Sequence, residues 1–266
     1  MKVYISADIE GVAGIAHFDE ATKTHPDYDE FRQRMTREVA AAAEAALDAG
    51  ATEVWIKDAH ATGRNLFVDA LPRAVRLIRG WSGHPLSMVQ ELDASFGALM
   101  MIGYHARAGS GGNPLAHTMS SRVVNRIVVN GRPASEFLLH AYAGALFEVP
   151  TVMVAGDEAL CAEVAELDPG IRTVATMRGV GDSTVSVHPD VAVDGIRAAV
   201  TDALQDVASI RTLAPPETLT VDLRFVKPMA AYRASHYPGA TLVDDDTIRF
   251  ETRDWFEVMR LLLFVL

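Results

Sequence analysis

Met1-Lys2-Val3-Tyr4-Ile5-Ser6-Ala7-Asp8-Ile9-Glu10, followed at once by Gly11-Val12-Ala13-Gly14, is the stretch around which the 266-residue chain is organised. Its apolar run, with Val3, Ile5 and Ala7, reads as a buried strand that ends in two carboxylates. Asp8 and Glu10 are two apart, so they point to the same side while the strand persists. Unpaired carboxylates are costly to bury, so such a pair is neutralised, metal-bound or set at a solvated strand end. A strand surfacing into a polar turn explains the pair as well as a metal site does, until partners are found elsewhere.

Composition narrows the class. Hydrophobic residues make up 49% and charged residues 22%, as in an ordinary globular protein. Lys plus Arg number 24 against 35 Asp plus Glu, a net charge of −11, which argues against a nucleic-acid partner. The single cysteine, Cys161, excludes an internal disulfide and suits a reducing compartment; it reads as a small core residue. No apolar run approaches the ~20 residues that span a bilayer, and the first strand begins without a signal-like segment, so a cytoplasmic protein with no membrane partner is expected. The apolar tail Leu261 to Leu266 is expected to be a buried last helix or part of a subunit contact.

Strands and helices alternate along the chain. Tyr28 to Ala49 is alanine-rich and helical, closed by Gly50. Thr52 to Lys57 is a short strand ending at Asp58-Ala59-His60, and Gly97 to Gly103 a strand ending at Tyr104-His105-Ala106-Arg107. Between them a short helix is expected over Asn65 to Leu71 and a strand over Ala74 to Ile78. Val123 to Val129 is strand-like, Asn130-Gly131 signals a hairpin turn, and Pro133 fits the first turn of a helix running through Glu136. Further strands are expected at Val149 to Ala155 and Arg172 to Ala175, and a helix from Pro189 to Ser209. Pro215-Pro216 marks the one linker, followed by strands at Leu219 to Val226 and Thr247 to Glu251, a short helix near Ala230 to His236, and a final helix from Trp255. This is an α/β fold with a largely parallel sheet and flanking helices over residues 1–212, followed by a smaller α+β portion over 217–266 packed on it.

Asp8 with Glu10, then His60, then His105 end three separate strands. The carboxyl ends of strands in an open parallel sheet line one edge, where ligands bind, so these residues can converge there. Each histidine alone has a simpler reading as a satisfied core residue; their agreement across three strand ends makes a metal site as good a reading as a structural one.

Five motifs, in order, are Asp8-Ile9-Glu10-Gly11, Lys57-Asp58-Ala59-His60, Gly103-Tyr104-His105-Ala106-Arg107, Ala116-His117-Thr118-Met119 and Arg132-Pro133-Ala134-Ser135-Glu136. Together with Val152 to Asp157 they resemble the zinc-dependent D-aminopeptidases of dipeptide-transport operons, most densely over residues 1–160. The resemblance implies two zinc ions per chain bridged by Asp8, with Glu10 and His60 completing one ion's protein ligands and His105 and Glu136 the other's. Each ion then has about three protein ligands and room for a shared water or hydroxide, the usual zinc count with one reactive position. It implies His117 as the catalytic residue, either acid–base catalyst or oxyanion stabiliser. The implied activity is hydrolysis of short peptides with N-terminal D-amino acids such as D-alanine by a metal-bridging hydroxide, in ring-like homo-oligomers.

Three further residues carry two readings each. Asp58 orients His60 or caps a turn, Arg107 meets a substrate carboxylate or pairs with an internal acid, and Asp157 holds a substrate amine or caps the next helix. Ala59 stands where the family pattern has a small hydroxylic residue, and Arg107 to His117 matches it loosely, which bears on substrate selection. A hydrolase of another amide or of a phosphate ester would use the same cluster. A phospho-receiver-like signalling domain would place Asp58 similarly, but it leaves His60, His105, His117 and Glu136 without a role.

Overall fold

β1 (Lys2–Ala7) lies in the interior of a seven-stranded sheet with β2 (Glu53–Asp58), β3 (Val75–Ile78), β4 (Phe96–Tyr104), β7 (Thr151–Asp157), β8 (Arg172–Val180) and β9 (Ser183–Ser186), in the order β3-β2-β1-β4-β7-β8-β9. A computed structural model describes all of residues 1–266. Every pairing in this sheet is parallel except β8 with β9. Val3 to Ala7 are buried throughout, as expected for a parallel strand covered on both faces. The chain winds outward from β1 through β2 to β3, then returns to β4 and winds the other way through β7 and β8. The reversal lies between β1 and β4, and the crevice beyond their carboxyl ends is where such sheets bind ligands.

Two glycines let these strand ends come together. A Cβ on Gly103, whose φ is +72°, would meet the Asp8 carbonyl at 2.1 Å, and one on Gly11 would meet the Tyr104 carbonyl at 1.7 Å. Backbone hydrogen bonds close the same contact, Asp8 N–H to the Ile102 carbonyl (2.8 Å) and Gly11 N–H to the Gly103 carbonyl (2.8 Å).

A second, antiparallel sheet runs β11-β12-β10-β5-β6. Residues beyond 217 supply β10 (Leu219–Phe225), β11 (Ala240–Asp244) and β12 (Thr247–Thr252), while β5 (Val124–Val129) and β6 (Arg132–Pro133) come from mid-chain. Helices α1 (Phe18–Ala21), α2 (Tyr28–Asp48), α3 (Glu136–Ala145), α4 (Glu158–Leu167), α5 (Pro189–Gln205), α6 (Pro228–Ala234) and α7 (Trp255–Val265) complete the chain. α2 packs against α5, and α7 packs against α3 and β12. The buried Trp255 anchors α7 by donating to the Leu139 carbonyl of α3 (3.1 Å). No helix is long and apolar enough to cross a membrane.

The largely parallel sheet with flanking helices matches the expected fold class, and four local expectations are corrected. Pro133 belongs to β6, pairing with Val128, so the helix starts at Glu136 behind the Ser135 cap rather than at Pro133. Asn65 to Leu71 forms only a 3₁₀ turn at Val68–Ala70, ended by Leu71, whose backbone is extended as the residue before Pro72 prefers. The helix expected from Pro189 to Ser209 ends at Gln205, followed by a separate 3₁₀ turn at Val207–Ser209. β8 extends to Val180 and turns back as β9.

Candidate metal centre

Six of the sequence-marked side chains meet at the crevice between β1 and β4. Asp8 and Glu10 follow β1, His60 follows β2, His105 follows β4, and Glu136 opens α3 after the β5–β6 hairpin. His117 enters from the loop between β4 and β5. His60 Nδ1 lies 3.2 Å from Asp8 Oδ1 and 3.0 Å from Glu10 Oε2. His105 Nε2 lies 3.7 Å from Asp8 Oδ2 and 3.6 Å from Glu136 Oε2, and His117 Nε2 lies 3.7 Å from Glu136 Oε1. The donor atoms form two groups, Asp8 with Glu10 and His60, and Glu136 with His105 and His117.

Each histidine is held by its outward nitrogen on a backbone carbonyl. His60 Nε2 donates to Ala21 (2.8 Å), His105 Nδ1 to Ala106 (2.9 Å) and His117 Nδ1 to Leu115 (2.9 Å). A carbonyl can only accept, so these nitrogens carry the hydrogens and the inward nitrogens of neutral rings present lone pairs. The inward atoms are thus lone pairs and carboxylate oxygens facing one another. His105 Nε2 and Glu10 Oε2 are buried with no hydrogen-bond partner.

Electrostatics express the same mismatch. Burial pushes the Asp8 carboxyl well above its ordinary range, and neighbouring Glu10 adds to the shift. Burial also opposes the charges on His60 and His105, but nearby carboxylates outweigh it. Glu10 leads in raising His60 well above the usual imidazole value, and Glu136 leads in raising His105 to about 10. Burial would raise Glu10 and Glu136, yet His60 holds Glu10 well below the carboxylate range and His105 lowers Glu136 to about 2. A cluster that must borrow protons to balance its charge fits metal cations. Its inward spacings of 3.0–3.7 Å bracket the edge of about 3.4 Å that a zinc tetrahedron with bonds near 2.1 Å requires.

The remaining marked residues stand behind the cluster or apart from it. Asp58 does not reach the His60 ring. Its carboxylate accepts from Asn65 N–H (2.5 Å), Asn65 Nδ2 (2.6 Å) and Leu66 N–H (2.8 Å), and Asn65 Nδ2 also donates to the His60 carbonyl (2.7 Å). Asp157 caps α4 through Leu160 N–H (2.9 Å) and accepts from Ala106 N–H (2.6 Å), the residue after His105. Arg107 pairs with no carboxylate. It lines a cleft of about 730 Å³ with Ser110, Arg132, Glu163 and Glu166, to which none of the six cluster residues contributes.

Features without a sequence signal also shape the site. Ala21, at the end of α1, offers only its carbonyl to His60, and a carbonyl has no residue-type signature. Phe18, at the start of α1, sets its ring against His117 with centroids 5.8 Å apart, while His105 and His117 stack at 4.4 Å. His117, with 14% of its side chain exposed, is the most open of the six, so access to the cluster is from its side.

The chain is similar to known proteins over its whole length. The family model of the M55 peptidases, described as D-aminopeptidase, matches residues 1–264. A D-aminopeptidase of Bacillus subtilis (strain 168) is 32% identical over 265 residues, covering 99% of this chain and 96% of that protein. The solved structure of the zinc-dependent D-aminopeptidase DppA from Bacillus subtilis, described as a self-compartmentalizing protease, superposes with a TM-score of 0.93 at 30% identity, covering 100% of this chain and 96% of that one. The cluster is therefore carried on a scaffold shared from end to end with those enzymes, and the chain belongs to the M55 D-aminopeptidase family of hydrolases.

Proposed function

We propose that the protein is a dinuclear zinc aminopeptidase that removes N-terminal D-amino acids, D-alanine among them, from short peptides. The observation that carries this reading is the placement of Asp8, with one carboxylate oxygen toward His60 and the other toward His105. Asp8, Glu10 and His60 would hold one zinc, and Asp8, His105 and Glu136 the other. Zinc supplies Lewis acidity toward the scissile carbonyl and acidifies water.

The protein's own groups do the rest. The Leu115 carbonyl keeps the His117 proton on Nδ1, leaving Nε2 to hold and pass a second proton. Hydrolysis adds water across the amide, breaks its C–N bond and leaves an amine that needs a proton, and His117, the most exposed of the six residues, would pass one to it from Nε2, the nitrogen turned toward the cluster. Phe18 beside it offers an apolar wall to the substrate.

Short peptides and a homo-oligomer go together in this reading. Phe264 on α7 is 70% exposed, and a ring-like assembly that encloses the sites is supported by the self-compartmentalizing description of the DppA structure. A cytoplasmic setting accords with the lone, buried Cys161, whose thiol burial pushes up to about 12. The test is hydrolysis of D-alanyl and L-alanyl p-nitroanilides alongside an aryl phosphate. Turnover of the D-alanyl substrate is expected; turnover of the phosphate alone would overturn the reading.

A further inference from the structure

Asn113 joins the parts of the site that the mechanism must keep in register. It is buried, at 3% exposure, in the loop that carries His117. Its Nδ2 donates to the Glu10 carbonyl (2.9 Å) and to Asp157 Oδ2 (3.0 Å), and its Oδ1 accepts from Leu115 N–H (2.8 Å). The amide has only one orientation. A carbonyl and a carboxylate accept and a peptide N–H donates, so nitrogen faces the first two and oxygen the third.

Every partner leads to the cluster. The Glu10 carbonyl belongs to a member of the first donor group. The same Asp157 oxygen takes Ala106 N–H (2.6 Å), next to His105 in the second group. The Leu115 carbonyl holds His117 Nδ1 (2.9 Å). One side chain therefore ties the backbone behind Glu10, the backbone behind His105 and the turn that orients the His117 ring. Its loop is fixed independently where Gly179 N–H donates to the Gly112 carbonyl (2.7 Å).

We propose that Asn113 is a positioning residue for the hydrolytic reaction, holding His117 Nε2 in register with the proposed zinc ligands Asp8, Glu10, His60, His105 and Glu136. The proposal rests on the function proposed above. Asn113 makes no hydrogen bond to the inward atoms of the cluster, so its loss misplaces His117 while leaving the five proposed zinc ligands, Asp8, Glu10, His60, His105 and Glu136, in place. Networks behind metal ligands act in this way, and their removal costs about 10- to 100-fold.

The experiment compares the zinc-loaded wild-type enzyme with Asn113→Asp, which is isosteric, keeps an oxygen for Leu115 N–H and loses both donated hydrogen bonds. Asn113→Ser keeps such an oxygen without adding charge and serves if the first variant fails to fold. For each, kcat and KM on D-alanyl p-nitroanilide, zinc per chain and Tm are measured. The expected result is kcat lower by about 10- to 100-fold, KM within about twofold, and wild-type zinc content. A wild-type kcat, a change in KM alone, or an activity loss matched by zinc loss overturns the proposal. A wild-type enzyme that turns over no D-alanyl substrate would instead remove the function on which it rests.

Discussion

Asp8 gives its two carboxylate oxygens to different histidines: Oδ1 lies 3.2 Å from His60 Nδ1, and Oδ2 lies 3.7 Å from His105 Nε2. These histidines end neighbours of β1 on opposite sides, β2 and β4, so the sheet's reversal of direction is what lets one residue serve both. Asp8→Asn replaces one of the two acceptor oxygens with an amide that cannot ligate as a carboxylate does. The expected outcome is loss of both zinc ions together, with turnover lost. Elemental analysis checks it, and retention of one ion would contradict the shared role.

His117→Ala tests the proton-transfer step. A general acid contributes about 10²- to 10⁴-fold, so kcat is expected to fall by that amount with KM little changed. Zinc content is expected to stay at the wild-type level despite the 3.7 Å approach of His117 to Glu136, because the Asp8, His105 and Glu136 set is left intact. Loss of one ion in this variant would make His117 a ligand.

Zinc uptake is expected to release protons at neutral pH. His60 and His105 have raised pKa values in the metal-free cluster, His105 to about 10, because nearby carboxylates outweigh burial. These rings hold protons until a cation replaces them, so zinc affinity falls as pH falls. Calorimetric titration of the metal-free protein in two buffers of different ionisation enthalpy reads the release, and equal heats in both would contradict it.

Glu38 gives a stability prediction independent of zinc. This α2 carboxyl accepts from Ala13 N–H (2.9 Å) and leaves its other oxygen without a partner. Burial raises its pKa to about 7 from 4.5, with the hydrogen bond and Arg34 opposing. The folded state therefore binds the proton more tightly than the unfolded state, and stability is lost as pH rises from about 4.5 to 7. The difference amounts to about 3 kcal/mol. Glu38→Gln is expected to raise Tm by about 5 °C at pH 8 and to change it little near pH 4. Equal effects at both pH values would contradict this origin.

Much of this architecture was legible in the residues. Strand runs ending in Asp8, His60 and His105 announced a parallel sheet with its ligand edge, since period and composition mark buried strands well. β9 and β11 were not legible: Ser183 to Ser186 and Ala240 to Asp244 are short and mostly exposed, so no hydrophobic alternation marks them. Pro133 misled because its fixed φ suits a helix start as well as the second strand of a hairpin. The site's support was the least legible part. Ala21 acts through a carbonyl, and Asn113 gains its partners only when folding brings Glu10 and Asp157 to it.

Metal stoichiometry tests the central claim most directly. Protein purified without chelators or a metal-binding tag is to be analysed for zinc per chain and assayed on D-alanyl p-nitroanilide before and after zinc removal. About two zinc ions per chain, with activity lost on removal and restored on return, is the predicted result. One ion per chain at full activity, or activity that survives complete removal, would contradict the dinuclear account.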